Sequence, residues 1–183
     1  MGMAEFIKNS NPNFWDEEHL EYNCGGFAFN ILEWYTPEDR LGIDDVNCSL
    51  TSMANELFEN HSDWSEKDVA NYIKVLLIDA ILDDFQGEVR VVNSELDLED
   101  DEELVAMRVA YNIFEDEDED YEDEESEEDK SNCDFHFKVL RDGQWQEKIG
   151  LADVYNCGVD TEKDWEFWQI YYNSDTVYFA HKI

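Results

Sequence analysis

SEKDVANYIKVLLIDAILDDFQGEVRVVN, residues 65–93, changes its hydrophobic period partway along. In the first part, Val69, Tyr72, Ile73, Leu76, Leu77, Ala80 and Ile81 recur at helical spacing, which predicts a helix running to about Phe85. Ser65 followed three residues later by Asp68 approximates a capping box and sets the expected start. Gly87 ends the helix, and EVRVVN at 88–93 then alternates with the period of a strand. Helical patterns precede this switch and strand patterns follow it. The fold class expected is therefore α+β, with N-terminal helices packed on a C-terminal antiparallel sheet in one domain spanning residues 1–183.

Upstream, residues 1–22 read as an irregular lead-in containing Asn11-Pro12. CGGFAFNILEW at 24–34 carries apolar residues at helical spacing and predicts a helix that Thr36-Pro37 ends. A second helix is expected at 50–59, where Leu50, Met53, Ala54, Leu57 and Phe58 form one stripe. Downstream, LVAMRVAYNIF at 104–114 predicts a strand with Val105, Met107, Val109 and Tyr111 on one face. DFHFKVL at 134–140 alternates as well, and Arg141-Asp142-Gly143-Gln144 reads as a tight turn into a strand at 145–149. Two aromatic strands are expected to close the chain, at 167–171 and 176–181.

Composition gives two opposed signals. The chain carries 48 Asp and Glu against 12 Lys and Arg, a net charge of −36. Within residues 115–129, 13 of 15 are acidic, and removing that run still leaves −23. Such self-repulsion opposes compaction. Yet 43% of residues are hydrophobic and 14% aromatic, more than an acidic disordered chain carries. The pattern predicts a folded body with an acidic shell and a disordered acidic insertion over 115–132, lying between two strands that otherwise form a hairpin. No apolar run reaches 18 residues and the first 15 residues lack the pattern of a secretory signal, so a soluble protein of the host bacterial cytosol is expected. Cys24, Cys48, Cys133 and Cys157 form no Cys-x-x-Cys pair, and Asp-x-Asp-x-Asp-Gly spacing is missing. Neither a metal site nor a cofactor is expected.

Two motifs resemble a known family. Asn23-Cys24-Gly25-Gly26-Phe27-Ala28-Phe29 stands at the start of a helix, and Asp134-Phe135-His136-Phe137 lies in a strand, followed by 142–150, DGQWQEKIG. Their order, spacing and context resemble the papain-like cysteine hydrolases of bacteria and phages related to the NlpC-type amidases, from about residue 22 to the C-terminus. Tyr171, Tyr172, Tyr178 and Phe179 resemble the closing strands of that group. The resemblance implies a papain-like fold with Cys24 as nucleophile and His136 as base, the helix start and the imidazole both favouring the thiolate. It does not fix the third residue that orients the imidazole: Glu147 stands where relatives often carry His, and Ile149 where they often carry Pro.

Size and charge alone make the chain similar to phage-encoded DNA mimics that act against restriction enzymes and CRISPR effector nucleases. Duplex DNA carries one charge per roughly 1.7 Å of axis; the acidic run, extended at about 3.3 Å per residue, carries one per roughly 4 Å. The resemblance implies an anti-CRISPR inhibitor from a phage or mobile element. It would seat on the basic nucleic-acid channel of a host enzyme, a CRISPR effector nuclease first and a restriction enzyme next, and would touch neither nucleic acid nor membrane itself. The expected partner-binding residues are Asp100, Asp101, Glu102, Glu115, Asp116, Glu117, Asp118, Glu119, Asp120, Glu122, Asp123, Glu124, Glu125, Glu127, Glu128 and Asp129. Carboxylates near Cys24 would oppose thiolate formation, which favours this inhibitor over the alternative, a cysteine peptidase or amidase using Cys24 and His136.

Overall fold

The structure, a computed structural model, describes residues 22–31, 33–42, 49–113, 131–149, 154–158 and 166–183. The lead-in before residue 22, Cys48 and the acidic run lie outside the described residues. The fold is α+β. Helices α1 (Cys24–Ala28), α2 (Leu50–Asn60) and α3 (Glu66–Phe85) precede strand β1 (Val89–Val92), and the strands β2 (Glu102–Ile113), β3 (Ser131–Arg141), β4 (Gln144–Lys148) and β5 (Val154–Gly158) follow. Helix α4 (Glu166–Tyr171) and strand β6 (Val177–Lys182) end the chain. The six strands form one antiparallel sheet in the order β1-β6-β2-β3-β4-β5.

Local chemistry sets the long helix as its sequence suggests. The Ser65 side chain accepts from the Asp68 N–H while the Asp68 carboxylate accepts from the Ser65 N–H, a complete capping box. At the other end Gln86 (φ 37°) and Gly87 (φ 97°) turn the chain out of the helix and into β1. Val69, Ile73, Leu77 and Ile81 are fully buried and pack on Val105, Met107, Val109 and Tyr111 of β2 and on Phe135, Phe137 and Val139 of β3. The opposite face buries Leu104, Ala106, Ala110, Trp145, Cys157, Trp168 and Tyr172 in a second cluster. The β3–β4 turn is tight, with Asp142 (φ 52°) and Gly143 (φ 71°) both left-handed, as a two-residue type I′ hairpin requires.

Three sequence expectations need correction. The helix expected over 24–34 stops at Ala28, and Pro37 begins a short 3-10 helix instead of ending a long one. Asn30 (φ 54°) turns the chain back so that residues 33–35 run against α1. A Cβ on Gly26 would lie 2.1 Å from the Glu33 carbonyl oxygen and one on Gly25 2.6 Å from that of Tyr35, so this close approach requires both glycines. Arg141 fixes the fold-back by donating to the Phe27 carbonyl (3.0 Å) and Asn30 Oδ1 (2.6 Å). Residues 167–171, expected as a strand, belong to α4, which places Trp168 and Tyr172 one turn apart against the second cluster. Ser131 and Asn132, read as the end of the acidic insertion, are the first residues of β3.

If the fold-back sets the position of α1, Gly26→Ala should lower unfolding stability by about 1–3 kcal/mol, the usual cost of overpacking. An unchanged midpoint in urea denaturation would mean that the chain does not approach α1 this closely.

Candidate active site

The Asn23-Cys24-Gly25-Gly26 motif acts as a unit. Asn23 caps α1 by accepting from the Gly26 N–H (2.9 Å), and the same side chain pairs with both backbone groups of Tyr35. Cys24 is therefore held at the first residue of α1, between a capped turn and the returning chain. α1 packs on β3 and β4, and Cys24 and His136 line the same cleft of about 410 Å³ with Asn23, Trp34, Thr36, Glu38, Asp134, Phe135, Ile149 and Tyr172.

His136 is buried, and its imidazole is held on several sides. Nε2 lies 2.9 Å from Glu147 Oε2, and Cys24 lies beside it on the wall of the same cleft. With Nε2 taken by the carboxylate, Nδ1 is the nitrogen left for the thiol. The Tyr172 ring stacks on the imidazole, centroids 5.7 Å apart, and its hydroxyl donates to Asp134 Oδ2 at 3.1 Å. Burial works against an imidazolium here, but the hydrogen bonds and charges of Cys24 and Glu147 outweigh it and raise the His136 pKa to about 9. Glu147 shows the converse balance: burial favours its neutral form, yet the bond to His136, the charge of Lys138 and the Cys157 thiol lower its pKa to about 2.

Glu147 is thus the carboxylate in direct contact with the His136 imidazole. The signal for it lies in the hairpin register. The two-residue turn pairs Lys138 with Glu147, which makes Glu147 the diagonal cross-strand neighbour of His136 on the same face. Sequence reading missed the residues behind Glu147. Lys138 Nζ is 3.4 Å from Glu147 Oε2, and the Cys157 thiol donates to Oε1 at 3.4 Å. Cys157 lies on β5, a strand without the alternation that would announce it.

A further carboxyl in the cleft has an unusual state. Burial pushes Glu38 up to about 7 against the pull of its own backbone N–H, helped by the charges of Asp39 and Asp134. Its Oε2 is covered and has no hydrogen-bond partner. Of the acidic residues expected to face a partner, Asp100 and Asp101 are exposed, whereas the Glu102 side chain is covered and takes two bonds from Arg90 (3.0 and 2.6 Å). The others fall within 115–129, outside the described residues. Among the described residues no cluster of His, Cys, Asp and Glu could hold a metal, and no helix is long and apolar enough to cross a membrane.

Comparison with known proteins found no matching family model, no similar curated protein and no similar solved structure.

A carboxyl whose folded pKa is raised adds stability that is complete below its ordinary value of 4.5 and is lost as pH rises through about 7. Glu38→Gln should therefore melt higher than the native chain at pH 8 and match it near pH 4.5. Equal melting temperatures at pH 8 would contradict the covered position of Glu38.

Proposed function

We propose that the chain is a cysteine hydrolase acting on an amide or peptide bond, with Cys24 as nucleophile, His136 as general base and acid, and Glu147 as the residue that orients the imidazole. The supporting observation is that Cys24 and His136 line one cleft while Glu147 Oε2 lies 2.9 Å from His136 Nε2, so that a thiol, an imidazole and a carboxylate follow one another from the cleft wall inward. In the proposed reaction, the Cys24 thiolate, its proton already held on the His136 imidazolium, attacks the substrate carbonyl carbon. Breakdown of the tetrahedral intermediate then passes that proton to the leaving amine and leaves a thioester on Cys24. Water, deprotonated by the same imidazole, cleaves the thioester and restores the thiol. Glu147 does not exchange protons; it holds Nε2 and favours the imidazolium that forms. Trp34, Phe135, Ile149 and Tyr172 give the cleft apolar walls suited to a substrate side chain.

A second reading, the DNA-mimic inhibitor of a CRISPR effector nuclease or restriction enzyme, draws support from the use of the cations. Arg40, Lys67, Arg90, Lys138 and Arg141 are each engaged by a carboxylate of the same chain, which leaves the surplus of acids unbalanced. Such a surface favours fast, salt-sensitive association with a basic partner.

Alkylation by iodoacetamide, mapped by mass spectrometry, tests the hydrolase. All three thiols are buried, but Cys24 lines the cleft and should react well ahead of Cys133 and Cys157, whose pKa values burial raises. His136→Ala should slow the reaction at pH 6 by about tenfold or more, because the attacking species is the thiolate. Labelling of Cys24 no faster than the other thiols, or unchanged in His136→Ala, contradicts the hydrolase. The inhibitor predicts that Cys24→Ala retains full binding to the host enzyme, lost as salt is raised.

A further inference from the structure

His136, Lys138 and Glu147 form a buried chain of charges in which one carboxylate oxygen serves two cationic groups. Glu147 Oε2 is 2.9 Å from His136 Nε2 and 3.4 Å from Lys138 Nζ. The Lys138 side chain is only 3% exposed, and its ammonium sits 5.1 Å from the centre of the Trp168 ring. Burying an ammonium costs several kcal/mol unless it is compensated, so a strand position facing the core is an expensive place for lysine. Simple packing would be met by leucine or methionine.

The sheet places this group behind the imidazole by construction. Lys138 and Glu147 are direct partners across β3 and β4. Between β4 and β5 the register slips at Trp145 and Gln146, pairing them with Gly158 and Asn156, so Cys157 is the extra residue of a bulge. Bulges re-aim a side chain, and this one directs the Cys157 thiol to Glu147 Oε1 and to within 3.8 Å of Lys138 Nζ. Both oxygens of Glu147 are thus held from behind.

We propose that Lys138 is a positioning residue for the hydrolase: it shares the charge of Glu147 so that His136 can give up the proton it takes from Cys24 instead of remaining locked to the carboxylate as an ion pair. The inference rests on the hydrolase reading and adds a residue that acts only through another. A lone buried carboxylate against an imidazole favours the imidazolium strongly. An imidazolium can protonate a leaving group but cannot deprotonate the water that cleaves the thioester. A second cation on the same oxygen weakens that hold by direct repulsion and by dividing the hydrogen-bonding capacity of Oε2. The other groups around the imidazole are Cys24 of α1, Asp134 of β3, Tyr172, which follows α4, and Arg108 of β2, which stands opposite His136 in the ladder and turns to Thr176, the Tyr172 carbonyl and the Trp168 ring, 5.5 Å away. Among these, Lys138 is the cation in direct contact with Glu147.

Two measurements test the role in the full chain. With p-nitrophenyl acetate, the initial burst reports acylation of Cys24 and the steady rate reports hydrolysis of the thioester. Lys138→Met should keep the burst and lower the steady rate at pH 7 by about tenfold, the rise of that rate with pH moving up by about one unit. Lys138→Arg should restore both. In parallel, the His136 ring titration followed by NMR should move to higher pH in Lys138→Met by a similar amount. If Lys138→Met does not fold, Lys138→Gln, which keeps a donor to Glu147 without the charge, carries the same expectation. An unmoved His136 titration in a folded variant overturns the proposal, as does equal loss of burst and steady rate. Absence of any burst in the native chain counts against the hydrolase reading alone, since the NMR titration still decides whether Lys138 governs the imidazole.

Discussion

A buried carboxylate, Glu147, ties the candidate site together. Burying a charge is tolerable only where partners satisfy it, and Glu147 has them on both oxygens: His136 and Lys138 at Oε2, Cys157 at Oε1. Those partners come from β3 and β5, on either side of the β4 strand that carries Glu147, so the carboxylate links the three strands through side chains as the ladder links them through the backbone. The register of the β3–β4 hairpin, set by the left-handed Asp142 and Gly143, places Glu147 diagonal to His136. A slip of one residue would send Glu147 to the other face and leave His136 and Lys138 without their counter-ion. The turn, the register and the protonation of the site are one problem.

The position of Cys24 depends on a second constraint, steric in origin. Gly25 and Gly26 let the returning chain come so close that a methyl group would collide with backbone oxygens. Asn23 uses its single amide to cap α1 and to hold Tyr35 at the same time. The result is a thiol fixed at the start of a five-residue helix, with the cleft bounded by the same returning segment through Trp34, Thr36 and Glu38. The acidity of the chain reaches into this cleft through Glu38 and Asp134, and burial keeps Glu38 neutral further up the pH scale than an ordinary carboxyl. Around Cys24, therefore, formal charge counted from the sequence overstates the repulsion that the site meets below pH 7.

Much of the fold was legible because its signals are local. The Ser65–Asp68 box, the stripe from Val69 to Ile81 and the alternation from Val105 to Tyr111 each follow from a few neighbouring residues, and each corresponds to an element of the structure. The failures share a cause. α1 stops early because residues 33–35 turn back onto it, held there by Asn23, and periodicity in 24–34 carries no trace of that approach. Aromatic residues at 167–171 suit strand and helix alike over so short a run; only the four-residue spacing of Trp168 and Tyr172 hinted at the helix. The motif pair singled out Cys24 and His136, and the structure brings both to one cleft. Glu147 was visible only to register arithmetic, and Lys138 and Cys157 became visible with the three-dimensional pairing, because a bulge has no signature in one sequence.

The most direct test of the account is to look for the covalent intermediate. Intact-mass and peptide-mapped mass spectrometry, sampled over time after mixing the native chain with an activated acyl ester, should show one acyl group on Cys24 that appears and then decays, and that accumulates without decay when His136 is replaced by alanine. No adduct on Cys24, or acylation confined to surface amines with the same time course in both proteins, would contradict the assignment of this cysteine, histidine and glutamate as a working hydrolytic site.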